Sequence, residues 1–128
     1  MKLTLQSRSR IQLIDITAEV RKAVADNGIK SGACMIYVPH TTAGVTINEN
    51  ADPSVAVDIL NALDRIIPEE GGYRHAEGNS PAHVKATLMG SSQTVAVENG
   101  RLVLGTWQGI FFCEFDGPRT RSVHLHFL

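Results

Sequence analysis

The chain has 128 residues, of which 43% are hydrophobic and 20% charged, and these proportions are typical of a soluble globular protein. The length is that of one ordinary domain, so we predict a single domain over residues 1–128. The basic and acidic residues number 12 and 13, so the formal charge is −1, which excludes a broad cationic surface for nucleic acid or an anionic membrane.

Targeting and membrane signals are not expected. The N-terminal segment alternates between apolar and polar residues, which is typical of a strand and not of a signal peptide. No apolar run approaches the roughly 18 residues that a membrane span needs. We therefore expect a cytoplasmic protein with no membrane or nucleic-acid partner.

The first half of the chain is predicted to mix strands and helices. Asp52 and Pro53 form a strong helix start, because Asp can accept the free first-turn amides and Pro loses no hydrogen bond there. Gly28 stands where an earlier helix would end. The predicted elements are two short strands or one bent strand within 3–14, a helix over 17–28, strands over 32–38 and 44–48, and a helix over 52–67.

The second half begins with a polar loop over 68–80, which is near the length above which a structureless connection usually has a function. Ser80 and Pro81 then predict a third helix, with Val84 and Leu88 on one apolar face. Strands are expected over 94–97, 101–104, 107–115 and 120–127. This order lacks regular alternation of strand and helix, so it predicts an α+β fold with largely antiparallel sheet and three short helices.

Two further patterns have simple structural interpretations. Cys34 and Cys113 lie far apart in apolar, strand-like segments, which predicts buried free thiols in a reducing compartment. The turn at Gly105 is expected to lead into a packed Trp107.

Three histidines are candidate ligands of one divalent metal. His40 lies on a turn after a strand, His75 in the polar loop and His83 in the first turn of the third helix, and such elements can surround a point. No HExxH or CxxC signature accompanies them, so surface or hydrogen-bonded histidines remain the alternative. His124 and His126 project together from the last strand but lack a third ligand nearby.

Other polar residues are candidates for acid–base chemistry or anion binding. Glu49 could act as a general base or as the partner of a metal-bound histidine, whereas Asp52 is explained equally well as a helix cap. The helix start at Ser80 could bind an anion, and a plain capped helix accounts for the same residues. Its additional donors would be Arg74, Asn79 and Lys85.

Several blocks of sequence, taken together, resemble the YjbQ family, whose members are often labelled secondary thiamine-phosphate synthases. The blocks are Ser92-x-x-Val95-x-Val97-x-x-Gly100-x4-Gly105-Thr106-Trp107-Gln108-x-Ile110, His40-Thr41-Thr42-Ala43-Gly44, Asn48-Glu49-Asn50-Ala51-Asp52-Pro53, the segment 75–83, and Glu114-Phe115-Asp116-Gly117-Pro118-Arg119. The resemblance implies a two-layer domain with a β-sandwich-like core that assembles as a homotrimer. Exposed strand edges also favour such assembly, and Asn48, Glu49, His40 and the loop would then meet a neighbour.

The resemblance also implies an activity, which joins hydroxymethylpyrimidine pyrophosphate to thiazole phosphate and releases pyrophosphate. A site for small phosphorylated substrates needs cations that stabilise the negative charge of the phosphates, and a bound Mg²⁺ needs oxygen ligands from the protein. The expected phosphate-binding residues are Asn48, Arg74, Asn79, Lys85 and Arg119, and the expected catalytic or magnesium-binding carboxylates are Glu49, Asp52 and Glu77.

Two alternatives to this activity remain. A three-histidine site suits zinc better than magnesium, which favours a metal-dependent hydrolase of a small phosphorylated or carbonyl compound, with Glu49 or Glu77 as the base. The other is a non-catalytic trimer that binds an anionic metabolite or a metal.

Overall fold

Eight strands and three helices make up the computed structural model, which describes residues 1–128. In chain order they are β1 (Lys2–Gln6), β2 (Gln12–Asp15), α1 (Thr17–Asn27), β3 (Ser31–Tyr37), β4 (Ala43–Glu49), α2 (Pro53–Ile66), α3 (Ser80–Met89), β5 (Ser92–Glu98), β6 (Arg101–Leu102), β7 (Gln108–Glu114) and β8 (Thr120–Phe127).

The strands form two sheets in which every neighbouring pair is antiparallel. The larger sheet has the order β1-β8-β3-β5-β6 and the smaller has the order β2-β7-β4. The α+β fold with two antiparallel sheets and three helices is therefore confirmed. The opening segment is two strands, and they belong to different sheets.

The main core contains buried side chains from both sheets and from one face of α1, including Val20, Ile36, Val45 and Phe112. A smaller core contains residues of β7, α2 and α3. Strand β7 contributes to both cores because successive side chains of a strand point to opposite faces. This double burial explains the nearly continuous apolar run within β7.

Local signals place the helix ends close to their predicted positions. Gly28 has φ +80°, and its amide donates to the Val24 carbonyl to end α1. The Asp52 carboxylate accepts the Ser54 amide at 2.9 Å and begins α2, directly before Pro53. No helix or strand interrupts the stretch between α2 and α3, so the predicted loop is confirmed.

Helix α3 differs from the prediction in the face that it buries. Val84 and Leu88, expected on the apolar face, are 41% and 60% exposed, and Ala82, Lys85 and Ala86 are buried instead. Small residues are needed here because α3 and its last turn lie very close to β4. A Cβ at Gly44 would lie only 2.7 Å from the Gly90 carbonyl oxygen.

Two smaller expectations are corrected. Asn79, and not Ser80, is the residue that precedes α3, and its side chain makes no capping hydrogen bond. Trp107 is not packed, because its side chain is 62% exposed, although the turn before it forms through the Gly105 amide and the Gln108 side chain.

The cysteines match their prediction, since Cys34 and Cys113 are both free and buried. None of the helices has the length and apolar character required to cross a membrane.

Candidate functional site

The three candidate histidines border one region of the surface, with His83 in the middle. His83 lies in the first turn of α3, and the centroid of its ring is 5.4 Å from that of His75, edge to face. With His40 it also lines a hollow of about 460 Å³. A second hollow of about 390 Å³ includes Arg74, His75 and His83. We call these two hollows, which share His83, the histidine cleft.

His40 is the most constrained of the three. Its Nε2 accepts a hydrogen bond of 3.0 Å from the backbone amide of Ser122 in β8. Burial lowers the pKa of His40, and the charge of Arg121 lowers it further. The imidazole is therefore held in its neutral form near pH 7.

The loop over 68–80 forms the opposite border of the cleft. Tyr73 donates its hydroxyl proton to the Pro68 carbonyl at 2.6 Å, which closes the first part of the loop on itself. Glu69 and Glu70 line a neighbouring hollow of about 470 Å³, which also contacts His75. Glu69 forms an ion pair with Arg10, so Glu70 supplies the negative charge on the acidic side of the region, and Arg74 supplies the positive charge on its basic side.

Of the predicted phosphate ligands, only Arg74 lines the histidine cleft. Lys85 is 1% exposed, and its ammonium nitrogen lies 2.5 Å from an Asp64 carboxylate oxygen. Asn79 and Arg119 both donate to the Asp116 carboxylate, at 2.9 and 3.1 Å. These cations and donors already have partners within the chain.

The predicted carboxylates are also dispersed. Strand β4 runs from Ala43, near His40, to Glu49, and seven strand residues span roughly 20 Å. Glu49 and its neighbour Asn48 therefore lie at the end of β4 remote from the cleft. Glu77 is the carboxylate nearest to a candidate histidine, at 3.6 Å from His75 Nε2.

Asp52 acts as the cap of α2. Its carboxylate accepts both the amide and the hydroxyl of Ser54, and these two bonds lower the pKa of Asp52. This is the structural alternative that the sequence left open.

The side chains do not form a complete metal site within one subunit. No group of three or more His, Cys, Asp or Glu side chains is arranged to hold a metal ion. The Nε2 lone pair of His40 is used by the Ser122 amide, so its other ring nitrogen carries the proton in the neutral form. Zinc or magnesium would need further ligands beyond those that this chain places in the cleft.

A buried charged pair beneath the cleft was not identified from the sequence. Glu114 and Arg121 are 0% and 3% exposed and form a salt bridge. Burial raises the pKa of Glu114, but bonds from Arg121, Ser7 and the Asp116 amide outweigh it and hold the pKa below its usual value. The sequence does contain one indication of this pair. Glu114 is a charged residue at the end of an apolar strand, and a buried charge requires a partner of opposite sign.

Known proteins share both the sequence and the fold. The family model described as UPF0047 protein YjbQ-like matches residues 1–128. The UPF0047 protein YugU of Bacillus subtilis is 56% identical over 124 residues, which cover 96% of this chain and 94% of that protein. A UPF0047 protein of Methanocaldococcus jannaschii is 52% identical over 124 residues, covering 97% and 90% of the two chains.

Solved structures agree with these relationships. A Clostridium acetobutylicum protein, described as an uncharacterized conserved protein of the YjbQ/UPF0047 family, is 55% identical, and its crystal structure has a TM-score of 0.98. That match covers 100% of this chain and 99% of the other. A Sulfolobus solfataricus protein of unknown function has a TM-score of 0.95 at 34% identity, with 99% and 94% of the two chains covered.

Proposed function

The chain belongs to the YjbQ-like UPF0047 family, and from this premise we propose that it condenses hydroxymethylpyrimidine pyrophosphate with thiazole phosphate at the histidine cleft. The products are thiamine phosphate and pyrophosphate. The observation that supports this assignment is the grouping of His40, His75 and His83 beside Arg74 on one open surface. The reaction itself is the one that the family resemblance implies.

The condensation exchanges one bond for another. The ring nitrogen of the thiazole forms a C–N bond to the methylene carbon of the pyrimidine as the C–O bond to pyrophosphate breaks. Pyrophosphate leaves with the electron pair of that bond, and no proton is gained or lost at the reacting carbon. The site must therefore stabilise negative charge on the leaving oxygens.

The basic side of the cleft supplies suitable groups. Arg74 is permanently charged and presents a planar set of donors that match phosphate oxygens. His75 and His83 add N–H donors beside it. Together they would hold the pyrophosphate and orient its bond to carbon.

The acidic side of the region can stabilise the positive charge of the other product, thiamine phosphate. The reaction converts a neutral thiazole nitrogen into a thiazolium cation, and Glu70 lies in the hollow that adjoins His75. The charge of Glu69 in the same hollow is balanced by its ion pair with Arg10. Negative charge close to a developing cation lowers the energy of the charged species. We assign the Glu70 carboxylate a supporting electrostatic role.

Pyrophosphate release tests the proposal directly. Purified protein is mixed with the two substrates and Mg²⁺, and pyrophosphate and thiamine phosphate are both measured. We expect the two products to form in equal amounts. The variants His83→Gln and Arg74→Ala should lower turnover by at least about 100-fold, the usual loss when an acid–base or charge-stabilising group is removed. His126→Ala, at an exposed position of β8, is the control. The absence of both products at saturating substrate contradicts the proposal.

A metal-dependent hydrolase is the second candidate, and the contact between His75 and His83 is the observation that favours it. Elemental analysis separates the candidates. One zinc per chain that is lost in His83→Ala, with water-dependent cleavage of a phosphorylated compound, favours the hydrolase. Ligand binding without turnover favours a non-catalytic binding protein.

We also propose that the active form is a homotrimer. Strands β1, β6, β2 and β4 lie at the edges of the two sheets, and an edge strand has no neighbouring strand to pair with its backbone on one side. In β4 part of that side is already used, because the Val45 amide donates to the Gly90 carbonyl at 3.1 Å. A neighbouring chain that covers an edge would bring new side chains to the region, including those of the Glu49 end of β4. Such an arrangement would also provide the missing metal or phosphate ligands.

A further inference from the structure

The Glu114–Arg121 pair is fully satisfied within the protein. Arg121 Nε lies 2.9 and 3.1 Å from the two carboxylate oxygens of Glu114. The carboxylate also accepts the Ser7 hydroxyl at 2.6 Å and the Asp116 amide at 3.2 Å. A carboxylate with this many donors is fixed in position, and so is the guanidinium paired with it.

Arg121 connects the pair to the turn that bears His40. Its Nη2 donates to the Thr42 hydroxyl at 2.8 Å, and Thr42 is 5% exposed. The next residue of β8, Ser122, donates its amide to His40 Nε2 at 3.0 Å. Two consecutive residues of one strand thus hold both ends of the turn over 40–42.

This arrangement determines where the ring proton of His40 lies. A backbone amide remains a donor at every pH near neutrality, so Nε2 must present a lone pair to the Ser122 amide. A neutral imidazole then carries its proton on Nδ1. The ring can donate a hydrogen bond through Nδ1 but offers no second free lone pair.

We propose that Arg121 and Glu114 are positioning residues that hold His40 in the neutral Nδ1–H tautomer, so that this ring donates a hydrogen bond within the histidine cleft. The acceptor is an anionic oxygen of the phosphorylated substrate, and this identification alone rests on the proposed function. The buried pair therefore supports the site although neither charge lines the cleft.

The tautomer can be measured without substrate, so the result does not depend on the proposed reaction. Histidine is labelled with ¹⁵N, and the ring signals of His40 are identified by their loss in His40→Gln. At neutral pH we expect a protonated Nδ1 and an unprotonated Nε2. A protonated Nε2 in the parent protein would refute the proposal.

Two variants then test the role of the pair. Arg121→Met removes the guanidinium. Thr42→Val removes the hydroxyl that accepts from Arg121 and keeps the charged pair, the side-chain shape and only the longer bond of 3.4 Å to the Thr42 carbonyl. Each removes a hydrogen bond from a buried group, so the turn should shift. We expect ring signals of the second tautomer at more than about a tenth of the first, because the Ser122 bond alone is of modest net strength.

Thr42→Val decides the question if Arg121→Met does not fold. The matched control is Thr41→Val, because Thr41 is exposed and makes no bond to Arg121. The control should keep the single tautomer. An unchanged single tautomer in every folded variant would show that the pair stabilises the fold without positioning His40.

Discussion

Lys85 places its ammonium group against the carboxylate of Asp64 at 2.5 Å, and this contact links α3 to α2. The lysine is 1% exposed, and Glu69 is its only other acidic neighbour, at 3.9 Å. A buried ammonium group that loses its partner is costly, since it was removed from water to make the contact.

The first prediction concerns this contact. We expect Asp64→Ala to lower the free energy of unfolding by about 2 kcal/mol, less than for a fully buried pair because Asp64 is half exposed. Urea denaturation provides the measurement. Asp58→Ala, at an exposed position on the same helix and in no ion pair, should change stability by less than about 0.5 kcal/mol. Equal losses in both variants would contradict a specific role for the contact.

The second prediction concerns Lys85 itself. Lys85→Met keeps the apolar stem of the side chain and removes the charge. Because the contacts that bind the substrate are unchanged, we expect the Michaelis constant for a phosphorylated substrate to stay within about twofold of the parent value. An increase of the Michaelis constant by tenfold or more would show that Lys85 binds phosphate, as the sequence led us to expect.

The third prediction concerns the stability of the protein at low pH. The pKa of Glu114 is lower in the folded protein than its usual value, so the unfolded chain takes up a proton first as the pH falls. The stability from Glu114 is complete above the usual pKa of the carboxyl, 4.5, and is lost as the pH falls through the lower folded value. Urea unfolding at several pH values between 7 and 2 follows this loss.

Ser7→Ala provides a test of that assignment. It removes one donor to the carboxylate, so the folded pKa of Glu114 should rise towards its unfolded value. The loss of stability on acidification should then be smaller and should be complete at a higher pH. Ser9→Ala, at an exposed position, is the control. Identical acid profiles for the parent and Ser7→Ala would show that other groups dominate.

The fourth prediction concerns the thiols. Burial raises the pKa of Cys113 to about 12 and also raises the pKa of Cys34, and both side chains are fully buried. Because the thiolate is the reactive form, neither cysteine should react with iodoacetamide in the native protein at pH 8. Mass spectrometry should show two additions after unfolding in urea. Rapid modification of the folded protein would mean that the core opens readily.

The fifth prediction concerns assembly. Light scattering should give a mass about three times the 13.9 kDa of one chain, because unpaired strand edges favour association. Activity should decline on dilution if a neighbour completes the site. A single-chain mass at micromolar concentration, with full turnover, would exclude the trimer.

Local chemistry made much of the fold predictable. Asp52 before Pro53 and Gly28 at the end of α1 gave helix ends correctly because they act through adjacent backbone groups. The buried face of α3 was not predictable in this way. It depends on the close approach at Gly44, which is a contact between parts of the chain that are distant in sequence.

The same distinction applies to the candidate site. His40, His75 and His83 could be chosen by residue type, and the fold brings them to one region. The roles of Lys85 and Arg121 could not be assigned, because a basic residue in a sequence looks the same whether it faces substrate or a buried carboxylate. Their partners, Asp64 and Glu114, are identified only by the packing.

Helix α2 is held to the rest of the protein by few buried residues, and this affects how easily the helix detaches. Of its 14 residues only Leu63 is buried, so little apolar surface must be exposed to detach it. Its amides should therefore exchange with deuterium well before those of β7, whose residues from Gly109 to Glu114 are buried. An excursion of α2 would leave the Lys85 ammonium without Asp64 and admit water to the small core. Opening of α2 would thus control the access of water to the Lys85 ammonium group, which lies buried between α3 and α2.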